Sequence, residues 1–175
     1  DLTDLFFDED SVQNFELDHG YRAQTHLGSL LMYHGIVEAA RNVASNADAA
    51  STAEKDLRKF LEVLQGAQNS ARVFVFGSIF GGTGASSIPV IPVALRDAIN
   101  ILSDGTKTLN PNVVKFGSTL LTDYFTFTAP DSNQKKDDKV IADANNFALN
   151  CQAALQFYQA DPTVRSTYKR FYHIG

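Results

Sequence analysis

The chain has one cysteine, Cys151, in 175 residues. That excludes an internal disulfide and suits a reducing compartment, so a cytoplasmic setting is expected. No secretory leader is visible. No uninterrupted apolar run reaches about 18 residues, so no membrane span is expected. No Lys or Arg occurs among the first twenty residues, which instead hold Asp1, Asp4, Asp8, Glu9, Asp10, Glu16 and Asp18. With a net charge of -5, the chain does not read as a nucleic-acid binder. The acids mark residues 1–20 as an irregular, solvated arm. Phe6, Phe7 and Phe15 among them are the residues by which it would dock, and the acids could also meet Mg²⁺ or a partner.

Metal and nucleophile patterns are equally thin. His19, His26, His34 and His173 have no ligand spacing, so no metal site is expected. Cys151 reads as core. Gly77-Ser78-Ile79 does not make a nucleophile elbow.

What is there is an α/β pattern. Helices are expected from Thr25 to about Ser45, with Leu27, Leu30, Leu31, His34, Val37 and Ala40 inward, and from Thr52 to Gly66, capped by Ser51 or Thr52. Arg72 to Gly77 reads as a strand, apolar without alternation and hence covered on both faces. A helix follows from Ala85 to about Leu102, its start made irregular by Pro89 and Pro92. A second strand is expected within Asn112–Phe127, a helix from Val140 to about Gln159 ending at Asp161-Pro162, and a last strand from Arg170 to Ile174. Strands alternating with helices give a parallel sheet flanked on both faces, as in Rossmann-like folds. Ligands then lie at the carboxyl ends of the strands, which here means Gly77–Ser86, Thr122–Asp131 and Gly175.

The stretch from Val73 to Ser86 is the most informative. A buried strand stops at Gly81-Gly82-Thr83-Gly84-Ala85-Ser86 and a helix begins. Glycines let a phosphate approach the backbone, and free N–H groups at a helix start face the anion. Gly81, Gly82, Thr83, Gly84, Ala85 and Ser86 are therefore the candidate nucleotide-phosphate site, with Thr83 and Ser86 hydroxyls adding contacts. The absence of lysine excludes a Walker loop. A dinucleotide fingerprint would need glycine or alanine at Ser87 and an acid some twenty residues on, for which Asp123 comes late. None of the six tyrosines has a lysine four residues later, which disfavours an NAD(P)-dependent oxidoreductase.

Phe80-Gly-Gly-Thr-Gly-Ala-Ser86 resembles the glycine loop of the tubulin and FtsZ superfamily, departing at Phe80 and Ser86. Pro89 follows the loop as a proline does there. Thr122-Asp-Tyr-Phe-Thr-Phe127 is similar to the end of that family's next strand, and Tyr21-Arg-Ala-Gln-Thr-His-Leu-Gly28 to its γ-phosphate loop. The resemblance spans roughly residues 20 to 175 and is nearest to a divergent bacterial tubulin-like group. It implies part of one nucleotide-binding domain over 21–175, binding GTP (or GDP or another nucleotide) with Mg²⁺. It also implies Arg22, Ala23 and Gln24 near the terminal phosphate, and Asp131 at the ribose in place of a missing acid at Thr128. The intact protein would then be a candidate GTPase, assembling as a homo-oligomer or filament. The chain opens on Asp1 rather than Met, and the family's first glycine loop and its paired acids are not found. It is therefore expected to be a fragment with little hydrolysis of its own. The alternative is a tubulin-like interaction module that has lost nucleotide binding.

Overall fold

A computed structural model describes residues 12–13, 21, 24–67, 70–106, 114–122 and 147–175. The elements in chain order are α1 (Thr25–Ser45), α2 (Thr52–Gly66), β1 (Arg72–Ser78), α3 (Gly82–Leu102), β2 (Lys115–Leu121), α4 (Phe147–Ala160), α5 (Pro162–Thr167) and β3 (Tyr168–Ile174). The three strands form one parallel sheet in the order β1-β2-β3. The fold is α/β with a parallel sheet and flanking helices. The outer parts of the expected second strand and fourth helix, 123–127 and 140–146, lie outside the described residues. The short α5 was not anticipated; Asp161 caps it through Val164 N–H at 2.8 Å, so Asp161-Pro162 starts a helix as well as ending one.

Local chemistry explains most boundaries. Ser51 accepts the Glu54 amide while Glu54 reaches back to the Ser51 amide, a complete capping box for α2. Glu54 also accepts from Asn42 at 2.8 Å, tying α1 to α2. These bonds hold the Glu54 carboxyl below its ordinary pKa, the Asn42 bond contributing most. On α1 the buried residues are Leu27, Gly28, Val37, Ala40 and Val43. Leu30, Leu31 and His34 are exposed instead.

α3 is the organising element. It packs along α1, on β1, and against α2 and α5. By length and composition alone α3 is apolar enough to cross a membrane, but Ile88, Ala94, Leu95, Ala98 and Ile99 are buried in the core instead. Contrary to the sequence expectation, the helix is regular from Gly82 onward despite Pro89 and Pro92. Each proline removes the N–H that would serve the carbonyl four residues earlier, which orphans Ala85 C=O and Ile88 C=O. Two buried tyrosines supply the missing donors. Tyr158 of α4 donates to Ala85 O at 2.9 Å, and Tyr168 of β3 donates to Ile88 O at 2.6 Å. Burial pushes both phenols well above their ordinary range. A third phenol, Tyr33, donates to Asp97 at 2.8 Å and joins α1 to α3.

The sheet is covered unequally. Val75, Ser118 and Phe171 share the helix-facing side; Tyr158 stacks on Phe171 at 6.1 Å. A register shift at Phe116/Gly117 lets Tyr168 and Phe171 pack together on that side, 4.8 Å apart. The opposite face carries Phe74 and Phe76, 42% and 78% exposed. β1 therefore alternates in burial, and the expectation of cover on both faces fails for the described residues: no described helix lies over Phe76.

Two outcomes follow from the tyrosine–proline pairs. Tyr168→Phe leaves a buried carbonyl unpaired and should cost about 1–3 kcal/mol in urea unfolding, and Tyr158→Phe, whose Ala85 partner is half-buried, should cost less, about 1 kcal/mol. Adding Pro92→Ala to the former, or Pro89→Ala to the latter, restores a helical N–H and should recover most of that loss. In addition, the folded state keeps these phenols protonated where unfolded tyrosine, ordinarily at 10.0, ionises. Stability should therefore fall as pH rises past about 10, and the double Tyr→Phe variant should show a shallower fall in its urea midpoint.

Candidate functional site

The carboxyl ends of the strands form one edge. Ser78, Leu121 and Ile174 stand in register. Ile79 N–H donates to Leu121 O at 3.0 Å, and Thr122 N–H to Ile174 O at 2.9 Å. Thr122 Oγ1 also lies 2.9 Å from His173 Nε2. The Ile79–Gly81 turn runs from this edge into α3.

α3 begins without a side-chain cap: Gly81 occupies the N-cap position with φ -97° and ψ 167°. Ala85 N–H donates to Gly81 O, and Ser86 N–H falls within the helical ladder. That leaves the amides of Gly82, Thr83 and Gly84 without partners among the described residues, as the opening turn of a helix requires. No acidic or basic side chain occupies this first turn. The candidate phosphate donors thus narrow to Gly82, Thr83 and Gly84, with Gly81 beside them; Ala85 and Ser86 amides are already used. The Ser86 hydroxyl is also withdrawn. It is fully buried and donates to Thr83 O at 3.0 Å.

The glycines do different work. A Cβ on Gly84 would penetrate the Ser78 carbonyl, so glycine there lets α3 meet the end of β1. A Cβ on Gly28 would meet Tyr21 and, at 2.7 Å, Ser86 Oγ, so glycine there lets α1 close on α3. At Gly81 a Cβ would meet nothing within 4 Å. Gly81 is the one of these three that borders open space.

The segment before α1 comes to the same place. Tyr21 N–H donates to Thr83 Oγ1 at 3.4 Å, and Ser29 Oγ donates to Ser86 O at 2.9 Å. Further along, Tyr33 meets Asp97. α1 and α3 therefore run side by side in the same direction, start beside start. α1, too, begins without a side-chain cap, at Gln24. The Gln24 side-chain oxygen is buried with no hydrogen-bond partner. Of the residues expected at a terminal phosphate, Gln24 is thus placed beside the glycine turn, while Arg22 and Ala23 lie outside the described residues, as does Asp131. The pairing of two uncapped helix starts was not foreseen. Its signal was in the sequence: both N-cap positions, Gln24 and Gly81, lack the Ser, Thr, Asp or Asn that usually closes a helix.

Next to the turn lies an open groove of about 630 Å³ between α1, α3 and α4, bordered by His26, Phe80, Gly81, Pro89, Asn150 and Phe157. Phe80 stands edge-on to Phe147 of α4, 4.4 Å between ring centres. Among the described residues no group of three or more His, Cys, Asp or Glu could hold a metal. Compared with models of known families, with curated proteins and with solved structures, the chain matches none of them.

The unequal roles of the glycines give a direct check. Gly84→Ala should destabilise the fold by about 1–3 kcal/mol or more in chemical denaturation, because both clashing groups are backbone-bound. Gly81→Ala should change stability by less than about 1 kcal/mol, its φ and ψ being open to any residue.

Proposed function

We propose that the chain binds the phosphate groups of a nucleotide at the β1–α3 turn. The supporting observation is that two parallel helices start without side-chain caps and side by side at the carboxyl edge of a parallel sheet, with no partner among the described residues for the Gly82, Thr83 and Gly84 amides and with Gly81 bordering open space. Aligned peptide dipoles put partial positive charge at each start, and unpartnered amides there suit an oxyanion. The adjoining groove is of a size that holds small ligands. GTP is the nucleotide favoured by the resemblance of Phe80–Ser86 to the tubulin and FtsZ glycine loop, and Mg²⁺ would offset the phosphate charge. On this reading the chain serves as part of a nucleotide-binding domain in an assembling, tubulin-like protein.

A second reading is a tubulin-like interaction module without nucleotide. It is favoured by Gly84 and Gly28, which close packing alone explains. Titration separates the two: inorganic pyrophosphate, GTP, ATP and NAD are each measured by calorimetry with Mg²⁺ present. The first reading expects pyrophosphate and GTP to bind; no binding by any of the four supports the module. Gly81→Asp sharpens the test. An aspartate at the N-cap accepts from the Thr83 or Gly84 amide itself, puts a negative charge where the phosphate would lie, and leaves the helix as stable as before or more so. It should therefore lower phosphate affinity about tenfold or more while the fold stays intact by circular dichroism. Unchanged affinity in that variant places the anion elsewhere.

A further inference from the structure

The sheet face away from the helices is the largest feature the nucleotide reading leaves unexplained. Along its middle Phe74 and Phe76 contact each other at 4.9 Å, and Tyr172 lies 5.8 Å from Phe74. Tyr172 and Ile174 are each 53% exposed. The large rings stand over small residues: Thr119 is buried between Phe76 and Tyr172 in register, and Gly117 has no side chain because the Phe74 ring occupies its place. Parallel strands normally have both faces covered, and an exposed contiguous aromatic patch marks a docking surface.

Charge at one end narrows what covers it. Arg72, Lys115 and Arg170 share this face at the amino ends of the strands, around a shallow cavity of about 570 Å³. None of the three forms an ion pair among the described residues. The face thus asks for an occupant that is aromatic along its middle and acidic at one end. The chain carries such a segment. Residues 1–11, outside the described residues, hold Asp1, Asp4, Asp8, Glu9 and Asp10 with no cation, and place Leu5, Phe6 and Phe7 between the acids.

We infer that residues 1–11 dock on this face, with Phe6 and Phe7 against Phe74, Phe76 and Tyr172 and with Asp1 and Asp4, which lie beyond the aromatics counting from Tyr21, on Arg72, Lys115 and Arg170. Reach allows it. Tyr21 is anchored at Thr83 on the carboxyl edge, and with Val12 and Gln13 helical, at about 1.5 Å each, the ten residues leading back to position 11 can span at most roughly 29 Å. A seven-residue strand is only about 23 Å long. Tethering also raises the local concentration of the arm far above that of any separate copy.

The test places p-benzoylphenylalanine at Phe76, whose side chain is mostly in solvent, in the otherwise unaltered chain. After irradiation the products are sized and their linked peptides mapped. The expected result is a monomeric product linking position 76 to residues 1–11. The triple variant Arg72→Glu, Lys115→Glu, Arg170→Glu, checked for folding by circular dichroism, should lower that yield several-fold, as should high salt. A probe at Tyr172 should report the same contact. Cross-linked dimers would assign the face to a second copy and overturn the inference. So would a product without residues 1–11, or a yield indifferent to the charge reversal.

Discussion

Two carbonyls in the middle of α3 govern how the described structure is put together. Pro89 and Pro92 deprive two carbonyls of helical partners, Ile88 in the buried core and Ala85 half-buried beside the groove, and an unpaired carbonyl away from water is costly. Tyr158 and Tyr168 supply the donors, each more than fifty residues beyond the end of α3 in the sequence. The prolines thus turn a helix that could have been satisfied within itself into one that needs α4 and β3. Packing alone would tolerate small slides of α4 along the sheet; a phenol that must reach one particular carbonyl does not. The Tyr158–Phe171 stack and the Tyr168–Phe116 edge contact at 6.0 Å then carry that placement into the sheet.

The same helix sets the site. Its first turn is pinned from two sides, by Gly84 against Ser78 and by Gly28 against Ser86, while Ile88 lies against Gly77. What these contacts leave at the surface is Thr83, which is exposed, with Gly81 half-buried beside it and Gly82 buried between them. A turn held this way is preorganised: its amides are oriented by packing alone. Tyr21 reaches Thr83 because α1 runs beside α3, and that alignment is fixed by Ser29–Ser86 near the start and by Tyr33–Asp97 further along.

Much of this could be read in the sequence, and the failures have physical causes. α1 and α2 fall at the expected bounds because three- and four-residue periodicity, and for α2 the capping serine, are local signals. β1 and the glycine turn were legible because an apolar run ended abruptly at glycine. The regularity of α3 was not, since the donors that rescue it lie at Tyr158 and Tyr168, and no local rule links them to Pro89 and Pro92. The cover over β1 was misjudged for a related reason. Val73-Phe-Val-Phe76 is apolar at every position, so composition cannot distinguish a strand buried on both faces from one whose second face lies open. At the site, the turn was found but its donors were overcounted: Ala85 and Ser86 belong to the glycine pattern, yet their amides already serve the helix.

Those glycines also show how far a motif carries a functional reading. Gly28 and Gly84 would be required by packing even if no ligand ever bound, because each lies where a Cβ would overlap a neighbour. They account for part of the likeness to the tubulin and FtsZ loop without reference to phosphate. Gly81 has no such duty. Its Cβ position is empty, its φ and ψ suit any residue, and side chains that stabilise helices at an N-cap would fit there. Glycine at that point leaves the Thr83 and Gly84 amides without a partner among the described residues, where a serine or aspartate side chain would have accepted from one of them. The weight of the nucleotide reading therefore rests on the one glycine that the fold does not need.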